Sequence, residues 1–489
     1  MHDLNLGATV LRSCRAHAGE RAIESPALSL SYREFGERIE TLSADLARRG
    51  LAGNEPVPVL VSNHPLDLVA FAAVWTAGGV VVPVHRTNPA AAAAGILDAT
   101  GARVALDLLG SGPLPEGWSR DGDAITAERS APPGREILAD GAFVIFTSGS
   151  TGRPKGAVLS HRAFGGKLVA IDGLLHFAAG ERTLLVLNLT FSFGNWVSLL
   201  ALKTGGTVVM HEKFAPRPFL DALAHDRIDR VGVVPTMMRA LFAAGTDSTA
   251  TSLRQILIGG EALGRPLAAQ ITRGFPNARL IDIYGLTESS TSDFFLFPED
   301  HPRYSGCIGR PSPGVRFRIA AADGSAAPAG EVGELQLRTP FAMNGYLDAP
   351  ELTAAAYQDG WLRTGDMGRL LDGEVVELAG RAREIISRGG NKVSPLEIEQ
   401  VFAEHPGVAA AMATGVADDI LGERIHLLVV PRPGGSPSEA ALRDFASSRL
   451  PRFKQPDTIH FAAELPLGRT GKADRGALRR MIESGGIAR

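Results

Sequence analysis

The sequence predicts an α/β protein, with a large N-terminal domain of packed α/β subdomains followed by a small α+β C-terminal domain. Three observations predict it. Apolar runs of strand length alternate with segments of helical periodicity through most of the chain, which favours parallel sheets covered by helices. No short repeat period recurs along the chain. Beyond Gly380-Arg381-Ala382-Arg383 the pattern shortens into small mixed units.

The elements follow in order. Ser31-Tyr32-Arg33-Glu34 has capping-box spacing, and Phe35, Ile39, Leu42 and Leu46 then recur at helical intervals until Gly50. A strand-like run, Val57 to Val61, precedes a helix through Leu66 to Thr76 and a second strand, Val80 to Val84. The Ala90 to Ala94 run reads as helix. Further strands are expected at Leu184 to Leu189, Thr207 to Met210, Val231 to Val234, Ile256 to Ile258 and Leu280 to Ile283. Residues 110 to 135, rich in Gly, Pro, Ser and charge, read as a surface connection. In the last part, a helix capped by Ser394 with Glu397, a strand through Val408 to Val416 and another through His426 to Val430 outline the small domain.

Composition narrows the partners. The chain has 489 residues, 45% hydrophobic, and its 50 basic and 53 acidic residues leave a formal charge of -3. No one-signed field is available for nucleic acid or an anionic membrane, so small molecules or other proteins are expected. Cys14 and Cys307 are the two cysteines, too few for a disulfide framework or a cysteine-rich zinc site, and they suit a reducing cytoplasm. The N-terminal stretch lacks the continuous apolar core of a secretory signal. The apolar stretch from Leu68 to Val84 is broken by Gly78, Gly79 and Pro83 and reads as buried helix then strand, so a soluble chain is expected.

The chemistry concentrates after the apolar strand Phe143 to Phe146. It runs into Thr147-Ser148-Gly149-Ser150-Thr151-Gly152-Arg153-Pro154-Lys155-Gly156. Glycines let successive backbone N–H groups turn toward one point, hydroxyls add donors and a lysine adds charge, a composition suited to a triphosphate. The spacing is not Walker A, because no Gly-Lys-Ser/Thr ends it. Taken alone, the segment reads equally as a plain Ser/Gly-rich loop.

Further strings follow: Gly259-Gly260-Glu261, Tyr284-Gly285-Leu286-Thr287-Glu288, Gly309-Arg310-Pro311, Gly333-Glu334-Leu335, Gly345-Tyr346, Thr364-Gly365-Asp366, Gly380-Arg381 and Gly468-Arg469-Thr470-Gly471-Lys472. In this order, over almost the whole chain, they resemble the adenylate-forming superfamily of acyl-CoA synthetases, aryl-CoA ligases, adenylation domains and luciferases. The sequence is most like a stand-alone acyl-CoA or aryl-CoA ligase. The resemblance implies residues 1–382 as the adenylate-forming domain and 383–489 as a mobile lid.

It also implies roles. The Tyr284 ring would stack on adenine beside Gly285, and Thr287 would donate to the α-phosphate. Glu288 would help hold Mg²⁺, a hard cation that prefers oxygen ligands. The loop from Thr147 to Lys155 and the string Gly259, Gly260 and Glu261 would complete the nucleotide site. Asp366 would accept from the ribose hydroxyls with Arg381 assisting. Lys472 would bridge the substrate carboxylate and the α-phosphate as negative charge builds. Arg383 stands where relatives carry a hinge residue, usually Asp or Lys, about which the lid swings to present the stretch near Gly389 to the thiol.

Amino-acid-activating relatives carry an aspartate where this chain has Ser192, after Phe191. A hydroxyl cannot neutralise a buried ammonium, so an α-amino acid is disfavoured. Histidine, frequent in this stretch of aliphatic and aryl relatives, is replaced by Thr190 and Phe191. The remaining aligned pocket positions, Phe193, Trp196, Gly232, Leu257, Gly259, Ile283, Thr291 and Ser292, carry no charge and suit an uncharged acyl or aryl tail. Trp196 reads either as a wall that shortens the pocket or as a core residue of the helix that follows.

The expected reaction converts a carboxylic acid and ATP to acyl-AMP and pyrophosphate, then passes the acyl group to CoA. The runner-up acceptor is the phosphopantetheine of an acyl carrier protein supplied in trans. Two rivals of other classes are an oxygen-using, luciferase-like enzyme and a non-catalytic nucleotide-binding protein. Retention of Lys155, Glu288 and Lys472 argues against the last.

Overall fold

In the computed structural model, residues 4–110, 116–127, 134–147, 155–245, 252–432, 434–435, 437–467 and 473–486 are described. The expected helix starts are present. Ser31 Oγ accepts from the Glu34 N–H at 3.3 Å while the Glu34 carboxylate accepts from the Ser31 N–H at 2.7 Å. Helix Tyr32–Arg48 then buries Phe35, Ile39, Leu42 and Leu46 along one face. Helix Pro65–Thr76 is buried on nearly every side, which explains its uninterrupted apolar sequence. Among the described residues no helix is long and apolar enough to cross a membrane.

Two sheets with parallel centres carry the large N-terminal part. One has eight strands, in which Val80–His85, Pro56–Val61 and Val104–Leu106 pair in parallel and the hairpin Gly141–Thr147/Lys155–Ser160 closes one side. The other has nine, with parallel strands in the order Arg21–Glu24, Thr207–Met210, Arg182–Leu185, Arg230–Val233, Gln255–Gly259, Arg279–Tyr284. Chain order reverses beside Arg182–Leu185, because the next strand lies on one side of it and the one after on the other. Ligands of open α/β sheets bind outside the carboxyl ends of the strands at such a reversal.

A smaller antiparallel sheet follows, built from Arg316–Ala320, Gly333–Arg338, Tyr357–Gln358, Trp361–Leu370 and Val376–Arg381. The C-terminal part has its own core. Ile386, Ile398, Phe402, Ile425, Leu427 and Leu442 pack together under a five-stranded sheet and the helices Pro395–Ala403 and Glu439–Ser447. Ser394 Oγ caps the first of these helices through the Glu397 N–H at 3.2 Å, as expected.

Two expectations are corrected. The segment read as a surface connection contains a hairpin, Trp118–Asp121 with Ala124–Ala127, turning at Gly122 (φ 63°) and Asp123. Trp118 and Ile125 fill a core shared with Leu97 and Ala105, so burial of two apolar residues outweighs the polar composition around them. The second strand of the small domain begins four residues earlier than predicted, at Gly422, because it pairs with Val408–Asp418 down to Asp418↔Gly422.

Candidate active site

The carboxyl end of strand Arg279–Tyr284 forms the centre of the site. Tyr284 is half-buried, and its hydroxyl donates to Asp366 Oδ2 at 2.6 Å. Asp366, 4% exposed, comes from the antiparallel sheet and stands opposite Arg381, whose Nε donates to Oδ1 at 3.1 Å. Burial raises the Asp366 pKa, and the charge of Arg381 and the Tyr284 hydrogen bond oppose the rise. Burial, then the nearby Asp366 charge, raises the Tyr284 phenol, so it remains a donor at neutral pH. Three of the expected nucleotide residues therefore meet as one hydrogen-bonded set.

Thr287 and Glu288 lie in one turn of 3₁₀-helix, Thr287–Ser289, directly after that strand. The Glu288 carboxylate accepts from the Tyr346 hydroxyl at 2.8 Å. Tyr346 sits on a short edge strand beside Lys155–Ser160, and the Lys155 ammonium lies 5.1 Å from the centre of its ring. Burial first, then Glu288, raises the Tyr346 pKa. Lys155, Tyr346 and Glu288 thus form a second chain, running from the predicted phosphate loop to the predicted metal ligand. Among the described residues no group of three or more His, Cys, Asp or Glu could hold a metal ion. A single carboxylate, Glu288, joined through Tyr346 to Lys155, still fits Mg²⁺, which is usually held by one or two carboxylates together with substrate phosphates.

Thr147 pairs with Lys155 across the mouth of the hairpin expected to bind phosphate. The loop residues between them, including Ser148, Gly149, Ser150, Thr151 and Gly152, lie outside the described residues, as does Lys472. The loop that carries Lys472 is closed at its base by the Asp474 N–H donating to the Pro466 carbonyl at 2.8 Å. Arg383 is exposed, in a turn where the Glu384 and Ile385 N–H groups both donate to the Arg381 carbonyl.

Gly259 and Gly285 are needed for close approach. A Cβ at Gly259 would stand 2.3 Å from the Ile283 carbonyl oxygen, and one at Gly285 2.0 Å from the Ser292 nitrogen. Gly260 has a positive φ of 85°. The Glu261 carboxylate takes the Thr236 hydroxyl at 2.7 and 2.9 Å and the Thr236 N–H at 3.2 Å, so it caps helix Pro235–Ala243.

Along the expected acyl pocket, Phe191 precedes helix Ser192–Lys203, whose buried Ser192 opens the first turn. Phe193 is half-buried and stacks on Trp196, with centroids 5.5 Å apart and planes at 16°. Trp196 is 0% exposed, behind Phe193. Leu257 and Ile283 join the same buried cluster. Tyr346, Thr236, Lys167 and Asp293 were missing from the residues read as functional. Tyr346 was legible as a motif without a role, whereas the other three have no local signal.

Comparison with known proteins defines the class. The AMP-binding enzyme family matches residues 10–347, and its C-terminal domain matches residues 397–472. The chain belongs to this family, that of the adenylate-forming enzymes. It is 31% identical to an indoleacetate–CoA ligase of Aromatoleum aromaticum over 98% of each chain. It is also 31% identical to the fatty acid–[acyl-carrier-protein] ligase ScoC of Streptomyces coeruleorubidus, over 92% of this chain and 91% of that one. The amide bond synthetase McbA from Marinactinospora thermotolerans superposes with a TM-score of 0.86 at 27% identity, over 97% of this chain and 99% of that one.

Proposed function

We propose that the enzyme is an acyl-CoA synthetase that activates an uncharged carboxylic acid with ATP, forming acyl-AMP and pyrophosphate, and then transfers the acyl group to the thiol of CoA. The observation that carries this reading is the joined set Tyr284, Asp366 and Arg381 beside the Thr287–Glu288 turn, outside the carboxyl ends of the parallel strands. Tyr284 stacks on adenine with Gly259, Gly260 and Gly285 leaving room for its edge, while Asp366 accepts from the ribose. The loop from Thr147 to Lys155 cradles the phosphates. Thr287 donates to the α-phosphate, and Glu288 holds Mg²⁺, which offsets phosphate charge when bound. Lys472 stabilises the charge that builds between carboxylate and phosphate. Residues 383–489 swing as a lid about Arg383, and the separate core of that part supports the division.

Phe191, Ser192, Phe193, Trp196, Leu257 and Ile283 form the acyl pocket, without a charged group to hold an ammonium. The cytoplasm is the expected compartment, in keeping with two buried free cysteines. A carrier-protein thiol is the second acceptor, favoured by the likeness to a carrier-protein ligase.

Acid-dependent exchange of pyrophosphate into ATP over a panel of carboxylic acids tests the first half-reaction. Repeating productive acids with CoA, a phosphopantetheinylated carrier protein or an amine identifies the acceptor. No exchange with any acid would refute the reading, and product with the amine alone would refute the thiol.

A further inference from the structure

The Thr287–Glu288 turn continues into Ser290, Thr291 and Ser292, with φ of 58°, 72° and 51°. Three successive non-glycine residues in the left-handed region are costly, and such strain persists only where the surroundings over-determine it. Here they do. The Thr291 N–H donates to the Leu286 carbonyl at 2.7 Å and the Asp293 N–H to the Tyr284 carbonyl at 2.7 Å. Ser290 Oγ donates to the Phe341 carbonyl at 2.7 Å, and the Met343 N–H to the Glu288 carbonyl at 2.8 Å.

The anchor beneath this turn is an ion pair, Lys167 Nζ to Asp293 Oδ1 at 2.8 Å, with side chains 1% and 0% exposed. Lys167 Nζ also reaches the Ser292 carbonyl at 3.3 Å and Ser312 Oγ at 3.4 Å, so three oxygens surround its three protons. Asp293 Oδ2 accepts from Ser289 Oγ and from the Leu286 N–H. Burial pushes the lysine pKa down and the aspartate pKa up, each opposed by the partner's charge. A buried pair of this kind is poor evidence of stabilisation, because apolar residues of similar volume often serve as well or better. Its placement supplies another reason. Lys167 lies in helix His161–Leu175, which starts where strand Lys155–Ser160, the outgoing arm of the phosphate hairpin, ends.

We infer that Lys167 and Asp293 are positioning residues, locking the strained turn so that Thr287 and Glu288 keep a set orientation toward the phosphate hairpin. The inference rests on the nucleotide roles proposed above for Thr287 and Glu288. It assigns the pair to the adenylation transition state rather than to ATP affinity, which belongs to Tyr284 and Asp366.

The test compares wild type, the apolar double variant Lys167→Met/Asp293→Leu and the mild variant Ser289→Ala, all as full chains. Melting temperature, kcat and KM for ATP in pyrophosphate exchange, and the Mg²⁺ dependence of that rate are measured. The double variant should melt within a few degrees of wild type, lose about tenfold or more in kcat, need several-fold more Mg²⁺ and keep KM for ATP within about twofold. Ser289→Ala should show a smaller loss of the same kind with an unchanged melt, and it decides the matter if the double variant does not fold. Wild-type kcat and Mg²⁺ dependence in the folded double variant, or in Ser289→Ala should the double variant not fold, would reduce the pair to packing. Equal changes in kcat and KM would also overturn the inference. A wild-type enzyme without acid-dependent exchange would instead refute the proposed function.

Discussion

The Tyr284 hydroxyl donates to the Asp366 carboxylate at 2.6 Å, joining the carboxyl end of the nine-stranded sheet to the antiparallel sheet across 82 residues of sequence. One contact therefore orders both the residue assigned to adenine and the residue assigned to ribose. Tyr284→Phe keeps the ring and leaves Asp366 short of a donor. KM for ATP should rise about three- to tenfold with little change in kcat, the scale of about 1 kcal/mol for one hydrogen bond that acts on ATP only through Asp366. Tyr284→Ala should raise it further. An unchanged KM in the phenylalanine variant would show that the hydroxyl does not order the site.

Lys472→Ala should reduce pyrophosphate exchange by roughly 100-fold or more, the scale of losing a preorganised donor to developing charge. Thioester formation from supplied acyl-AMP should survive. Exchange at a near wild-type rate would remove Lys472 from the catalytic assignment.

Among the described residues the Arg383 N–H donates no backbone hydrogen bond, so proline at this position removes none. Proline fixes φ and would resist the torsional change that rotation of the proposed lid needs. Arg383→Pro should spare adenylation and cripple thioester formation, read as separate half-reactions. Equal loss of both would point to misfolding or a different pivot.

The proposed pocket positions carry no acidic side chain, so burying an ammonium should cost several kcal/mol, on the order of a thousandfold in kcat/KM. An aliphatic or aryl acid should outcompete its 2-amino analogue of matched shape. Phe193→Ala should lengthen the tolerated tail first, because Phe193 is half-buried while Trp196 lies behind it. Trp196→Ala should extend the tail further if the Phe193 ring drops into the vacated space. An unchanged chain-length profile in the Trp196 variant would assign that ring to the core alone.

Burial pushes the Asp282 carboxyl up to about 7. Its value in the unfolded chain is about 4, so the folded state binds this proton more tightly. The contribution to stability is therefore full below about pH 4 and is lost as pH rises toward 7, on the order of a few kcal/mol. Asp282→Asn should flatten that slope and raise the melting temperature at pH 8 more than at pH 4. A parallel pH profile in the two proteins would refute the assignment.

Much of this protein was legible locally. Capping at Ser31 and Ser394, apolar strands punctuated by glycine, and the change of pattern after Arg383 are consequences of hydrogen-bond satisfaction and periodicity within a few residues. Gly285 and Tyr284 were read as one motif, although the reason Gly285 must lack a side chain, contact with Ser292, is a tertiary fact. The hairpin at Trp118–Ala127 was obscured because its composition is polar and its stability comes from a core built by distant residues.

By itself, then, the sequence determined the α/β class and the succession of helical and strand-like units, and it named the candidates for the nucleotide site, since propensity, spacing and motif chemistry act over short range. Only the tertiary structure decided that Glu261 caps a helix through Thr236, that Trp196 stands behind Phe193, and that Lys167 anchors the turn bearing Glu288 through Asp293, 126 residues away. Such pairings depend on which side chains burial brings to the same place. A lone lysine in a helix carries no sign of the carboxylate that burial will set against it.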